Sequence, residues 1–85
     1  MPYIEQAERR RIDPKVAKLE KEIYGVGELN YAITSILLKW LGPRSHYEDY
    51  NSVIGILESI KLELYRRAVA PYEDEKLVVN GDVYG

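Results

Sequence analysis

The amino-acid sequence predicts an all-α fold, a small bundle of three to four helices with an extended N-terminal arm. Apolar residues recur at intervals of three and four along most of the chain, which is the spacing of one helix face. Strand signals are weak, because the short run KLVV has no alternating partner segment. The length of 85 residues predicts a single helical domain, residues 1–85.

The N-terminal third of the chain predicts an arm and a first helix. The segment MPYI is expected to be extended, because Pro2 cannot donate a backbone hydrogen bond. The segment IDPKVAKLEKEIYG predicts a helix with Asp13 as N-cap, Pro14 at the first helical position and Gly25 as its stop. The apolar residues expected on its buried face are Val16, Leu19 and Ile23.

The segment GELNYAITSILLKWLGP predicts a second helix, ended by Gly42 and Pro43. It is the most apolar part of the chain, so we expect it at the centre of the fold. Its apolar residues at helical spacing are Leu29, Ile33, Ile36, Leu37, Trp40 and Leu41.

A longer third helix is predicted from about Tyr50 to Ala70. Asn51 or Ser52 is the expected N-cap, unless the helix begins nearer to Asp49. Its apolar stripe consists of Val53, Leu57, Ile60, Leu64 and Ala68.

Pro71 predicts the end of the third helix, because the residue before a proline is pushed away from helical geometry. Arg66 and Arg67 then lie in the last turns, where cations meet the negative end of the helix dipole. A short fourth helix would start at Pro71 and end at Asn80 and Gly81.

Composition excludes several classes of protein. The net charge is −2 with both signs interspersed, which gives no broad positive surface for nucleic acid. No stretch reads as a signal peptide or a bilayer span, so we expect a cytoplasmic protein. The chain has no cysteine, hence no disulfide to reinforce a core that supplies roughly 3–5 kcal/mol at this size. Homo-oligomerisation is therefore expected.

Catalytic signals are weak, and no cofactor is predicted. The only histidine, His46, lies in a polar turn, where a surface or capping role is expected and neither a catalytic nor a zinc site is predicted. Small all-α pyrophosphohydrolases of the MazG-like and dimeric dUTPase families hold magnesium with an E-x-x-E and an E-x-x-D helix. This chain has Glu5-x-x-Glu8 but no E-x-x-D. If the protein were such an enzyme, Glu28 and Glu58 would be its metal-binding candidates.

Several segments resemble a family of small, functionally uncharacterised proteins from tailed phages and some bacterial genomes. They are MPYI, GELNYAIT (27–34), VIGILE (53–58), KLELYRR (61–67), VAPYEDEK (69–76) and NGDVY (80–84). The resemblance covers most of the chain. It implies a phage or prophage context and lends no activity.

A phage context implies a protein that acts by binding. The leading hypothesis is an oligomer that sequesters a nucleotide-derived signalling molecule at its subunit interfaces, similar to phage sponge proteins. Tyrosine rings would stack on bases and arginines would pair with phosphates. The predicted ligand-binding residues are Arg66, Arg67, Tyr65, Tyr72, Tyr31 and Tyr3. The alternatives are a protein-binding regulator or structural phage component, and a metal-dependent nucleotide pyrophosphohydrolase.

Overall fold

Helices make up most of the chain in the computed structural model, which describes residues 2–85. The helical elements are α1 (Gln6–Glu20), α2 (Val26–Leu41), α3 (Tyr47–Leu64), a π-helical segment (Tyr65–Val69) and α4 (Ala70–Asn80). No β-strand occurs among residues 2–85. The predicted all-α class is therefore confirmed. Met1, the first residue of the predicted arm, lies outside the described residues, and residues 2–5 precede α1 without regular secondary structure.

The chain divides after Val53 into two compact units, which are described separately. The N-terminal unit contains α1, α2 and the first turns of α3. The C-terminal unit, Ile54–Gly85, contains the rest of α3, the π-helical segment and α4. The single domain expected from the length of the chain stays a prediction.

Helix α1 begins at Gln6, well before the predicted start at Pro14. The carbonyl of Glu5 accepts a hydrogen bond from the Arg9 amide at 3.0 Å, and Asp13 and Pro14 lie inside the helix. The predicted Asp13 cap is therefore wrong. The segment QAERRR is composed of strong helix formers, and their summed propensity extends the helix past the proline signal.

The turn between α1 and α2 also differs from the prediction. Helix α1 ends at Glu20, so Gly25 is not its stop but the N-cap of α2, with an extended backbone at φ −168° and ψ 172°. The carboxylate of Glu28, in the first turn of α2, accepts a hydrogen bond from the backbone amide of Tyr24 at 2.7 Å. This bond satisfies a donor just before the helix, as in a capping box.

The predicted end of α2 is confirmed. Gly42 follows the last helical residue at φ 67° and ψ −180°, and its amide donates to the Leu38 carbonyl at 3.0 Å. This backbone region is essentially open only to glycine, which explains why the helix ends there. The Ser45 hydroxyl then donates to the Leu41 carbonyl, another of the free acceptors at the helix end.

Helix α3 begins at Tyr47, about three residues before its predicted start. The Asp49 carboxylate accepts a hydrogen bond from the His46 amide at 2.9 Å, which caps the first turn. The predicted caps Asn51 and Ser52 are therefore wrong, because both residues lie inside the helix. His46 has the capping position that the sequence suggested for it.

Pro71 does not stop the long helix. Ala70 keeps helical angles, φ −60° and ψ −46°, and its amide donates to the Tyr65 carbonyl five residues earlier. The extra residue in this π turn accommodates the proline ring, which would clash with a carbonyl in a regular α-helix. The prediction that Ala70 leaves helical geometry is wrong, whereas the predicted end at Asn80 is confirmed, with Gly81 at φ 91°.

Very little of this chain is buried. Val53, at 5% exposure, is the buried residue among those described, and Trp40, in the predicted centre of the fold, is 79% exposed. None of the helices in residues 2–85 is long and apolar enough to span a bilayer.

Candidate binding surfaces

Four of the predicted ligand-binding residues lie in the C-terminal unit. Tyr65, Arg66 and Arg67 are in the π-helical segment, and Tyr72 is in the first turn of α4. All four side chains are exposed. They therefore present polar groups to solvent and do not line an enclosed cavity.

The π-helical segment sets which side chains meet along this part of the chain. The Tyr65 hydroxyl donates a hydrogen bond to the Glu73 carboxylate at 2.5 Å. Eight residues of continuous α-helix would place two side chains roughly 80° apart around the axis. A π turn contains one extra residue, which changes this angle by about 100° and leaves the two side chains nearly aligned. The Tyr65–Glu73 pair therefore depends on the π turn.

The Glu73 carboxylate raises the pKa of Tyr65 above its ordinary value. The hydrogen bond from the hydroxyl to the carboxylate stabilises the neutral phenol, and the negative charge of Glu73 opposes formation of the phenolate. Tyr65 is thus held in its neutral form as a hydrogen-bond donor.

Two other cations in this unit, Arg66 and Lys76, have partners within it. Arg66 pairs with Glu63 at 2.8 Å, and the Lys76 ammonium lies 5.6 Å from the centre of the Tyr72 ring. A phosphate that bound Arg66 would therefore have to compete with the Glu63 carboxylate.

The remaining predicted ligand residues, Tyr3 and Tyr31, lie in the N-terminal unit. Tyr31 is 74% exposed and lines a shallow concavity of about 360 Å³ together with Glu22 and Glu28. Two carboxylates disfavour the approach of a phosphate, so this concavity does not suit an anion. Tyr3 is exposed in the segment before α1.

An apolar groove lies between α1 and α2 in the N-terminal unit. It encloses about 380 Å³, and Glu20 is the one charged residue among those that line it. No Cα atom of α1 comes within 8 Å of a Cα atom of α2, whereas directly packed helices have axes only 8–10 Å apart. The groove is therefore an unfilled apolar surface. Its lining residues, which define the α1–α2 groove below, are Val16, Leu19, Glu20, Ile23, Leu29, Ala32, Ile33 and Ile36.

Sequence reasoning missed this groove, because it assigned the same apolar residues to buried helix faces. The signal that could have identified it is a repeated spacing of four, three and four residues, which is typical of a seam between helices. Both helices carry the pattern: Ile12, Val16, Leu19 and Ile23 in and after α1, and Leu29, Ile33, Ile36 and Trp40 in α2.

The residues considered for metal binding have local partners. Glu28 accepts the hydrogen bond from the Tyr24 amide described above, and Glu58 forms an ion pair with Lys61 at 3.3 Å. Within residues 2–85, no three His, Asp or Glu side chains gather in an arrangement that could hold a metal ion.

Comparison with known proteins identifies a family. No curated protein and no solved structure matches the chain. A family model described as a domain of unknown function, DUF6899, matches residues 1–83, which is nearly the whole sequence. This chain, which is all-α over its described residues, therefore belongs to the DUF6899 family, a family of unknown function.

Proposed function

We propose that this protein is a non-enzymatic binding protein that works as a homo-oligomer, in the cytoplasm of a phage-infected host cell. Its ligand sites form where copies of the chain meet. The ligand class that best fits the residues is a nucleotide-derived signalling molecule, which the oligomer sequesters without chemical change.

The observation that carries the proposal is the extent of uncovered apolar surface. Among the described residues, 28 large apolar or aromatic side chains are exposed, including all eight tyrosines. Soluble monomers rarely expose contiguous apolar patches beyond a few hundred Å², and larger ones mark interaction sites. A chain of this size without disulfides also needs further support for its fold. Association with other copies meets both requirements.

The π-helical segment supports the choice of ligand. Short π turns inside α-helices occur frequently at functional sites. Here the turn carries two adjacent arginines, Arg66 and Arg67, beside Tyr65 and one helical turn from Tyr72. Guanidinium groups pair with phosphates, and tyrosine rings stack on bases, so the composition fits a nucleotide better than a purely apolar ligand.

The decisive experiment is mass spectrometry of small molecules released by heat from protein purified out of infected cells. We expect an intact nucleotide, and addition of that nucleotide to the emptied protein should raise its Tm. The same molecule should bind more weakly to the Arg66→Gln and Arg67→Gln variants. Recovery of a hydrolysed nucleotide would contradict sequestration and favour the pyrophosphohydrolase alternative.

A protein-binding regulator or structural phage component is the second candidate, because exposed apolar surface also suits a partner protein. It predicts a different outcome from the same preparation. No nucleotide would be released, the Tm would not respond to nucleotides, and one host or phage protein would co-purify in a fixed stoichiometry.

A further inference from the structure

We propose that the α1–α2 groove is the surface through which two copies associate, each groove facing the groove of the other. This inference rests on the proposed function, since it locates the self-association that the proposal requires. A two-fold arrangement of this kind converts two open pairs of helices into one four-helix core.

The amount of uncovered surface favours a second copy as the occupant. Five apolar side chains of the groove are 40–57% exposed in the single chain, and contiguous apolar patches of this kind mark interaction sites; they are Val16, Leu19, Leu29, Ile33 and Ile36. An uncovered apolar surface between two helices is what obligate interfaces present in the single chain, because they resemble a protein core cut in half. A partner that supports the fold itself must be present whenever the chain is made. A second copy of the chain always meets this condition.

The spacing of the apolar residues in the groove fits a partner that also presents a pair of helices. Apolar residues recur at intervals of three and four in both helices, which is the spacing at which side chains of one helix insert between those of another. Since each copy carries two such seams, a two-fold pairing satisfies all of them at once. The nearly uncharged lining agrees with the depletion of charged residues in the centre of stable interfaces.

The test compares two matched substitutions by sedimentation equilibrium of the full chain. Ile33→Asp places a carboxylate in the groove, where Ile33 is 45% exposed in the single chain. Val78→Asp makes the same kind of change in α4, where Val78 is 83% exposed. We expect Ile33→Asp to weaken self-association about 30-fold or more, as for a residue central to an interface. Val78→Asp should change it by less than about threefold.

A second measurement keeps the test valid if Ile33→Asp fails to fold. The chain has no cysteine, so the single substitution Ala32→Cys introduces one specific thiol in the groove. A short thiol cross-linker should join two copies through Ala32→Cys in high yield, whereas Val78→Cys should remain largely uncross-linked.

The outcomes separate the two proposals. A wild-type protein that is monomeric at tens of micromolar overturns both. An oligomer that resists Ile33→Asp and does not cross-link through Ala32→Cys overturns the groove as the interface, while self-association stands. A monomer that carries a bound apolar small molecule, or one that binds only a different protein, assigns the groove to another occupant and also overturns the inference.

Discussion

The two units of this chain handle an internal proline in different ways. In the N-terminal unit, Pro14 lies inside α1, and the helix keeps its regular α form around it. In the C-terminal unit, Pro71 follows a π turn that inserts one residue, and the helix continues from α3 into α4. Both segments remain helical, but only the second has changed its hydrogen-bonding register to accommodate the ring.

The two units also differ in the kinds of side-chain contact that they make. The π turn aligns polar side chains, so the C-terminal unit has local pairs such as Tyr65 with Glu73 and Arg66 with Glu63. The N-terminal unit has an open apolar groove between two helices whose Cα atoms do not come within 8 Å of each other. One unit is thus organised by contacts within a helix, and the other has an apolar surface that its own residues leave uncovered.

Pro14→Ala should produce the largest change in stability. A proline in a helix interior costs about 3 kcal/mol relative to alanine. Alanine also gives the unfolded chain more conformational freedom, which lowers the expected gain in stability by somewhat less than about 1 kcal/mol. We therefore expect the free energy of unfolding to rise by about 2 kcal/mol, measured by urea denaturation at a fixed protein concentration.

Asp13→Ala is the matched control for the position of the α1 start. If Asp13 were the N-cap that the sequence predicts, its removal would cost about 1 kcal/mol. Since Asp13 lies inside α1, we expect no loss and a gain of a few tenths of a kcal/mol from helix propensity. A loss in both variants would mean that the helix starts at Pro14 and not at Gln6.

Gly42→Ala should produce the next largest effect, a loss of about 1–3 kcal/mol in the free energy of unfolding. The cost is conformational, because Gly42 has φ 67° and a Cβ atom there would meet nothing within 4 Å. Gly25→Ala is the control, since Gly25 is extended and any residue adopts its angles. Equal losses for both variants in urea denaturation would contradict the assigned end of α2.

The sequence predicted the two helix ends at which a glycine has a positive φ. Gly42 and Gly81 require backbone angles that favour glycine, so both helix stops could be read directly. The starts of α1 and α3 depend on a balance of propensities and side-chain caps over several residues, and there the predictions were wrong. The π turn was also missed, because proline alone does not specify whether a helix breaks or inserts a residue.

The candidate surfaces were predicted to different degrees. Residues such as Ile33 and Leu19 were identified as apolar helix faces, but a sequence pattern does not say whether the facing surface belongs to the same chain or to another. The pairing of Tyr65 with Glu73 could not be predicted, because an interval of eight residues aligns two side chains only across a π turn. The assignment of Arg67 to a ligand stays a prediction.

Glu73→Gln should lower the pKa of Tyr65 toward its ordinary value, because the amide carries no charge to oppose the phenolate. A group whose pKa is raised in the folded state adds stability that is fully present below its unfolded pKa of about 10 and is lost as the pH rises through the folded value. We therefore expect the stability difference between wild type and Glu73→Gln to shrink above pH 10. Ring-carbon NMR, with Tyr65→Phe for assignment, measures the pKa directly.

Pro71→Ala tests the same pair through the helix register. Without the proline ring, we expect the segment to adopt a regular α-helix, which moves Tyr65 and Glu73 roughly 80° apart. The pKa of Tyr65 should then fall as in Glu73→Gln, although both side chains are intact. An unchanged pKa would show that something other than Pro71 maintains the π turn.

The smallest effect concerns the ion pair between Arg66 and Glu63. A double-mutant cycle with Arg66→Gln and Glu63→Gln should give a coupling energy of about 0.2–0.5 kcal/mol at low salt, as for exposed pairs three residues apart on a helix. The Lys61–Glu58 pair is the matched comparison, and it should couple more weakly because its distance is longer, 3.3 Å against 2.8 Å. Both couplings should decrease in 1 M salt, where the Debye length is only about 3 Å. A coupling well above 1 kcal/mol that survives high salt would mean that Arg66 is covered by another molecule in solution, and that the C-terminal unit is part of an interface, as we propose for the N-terminal unit.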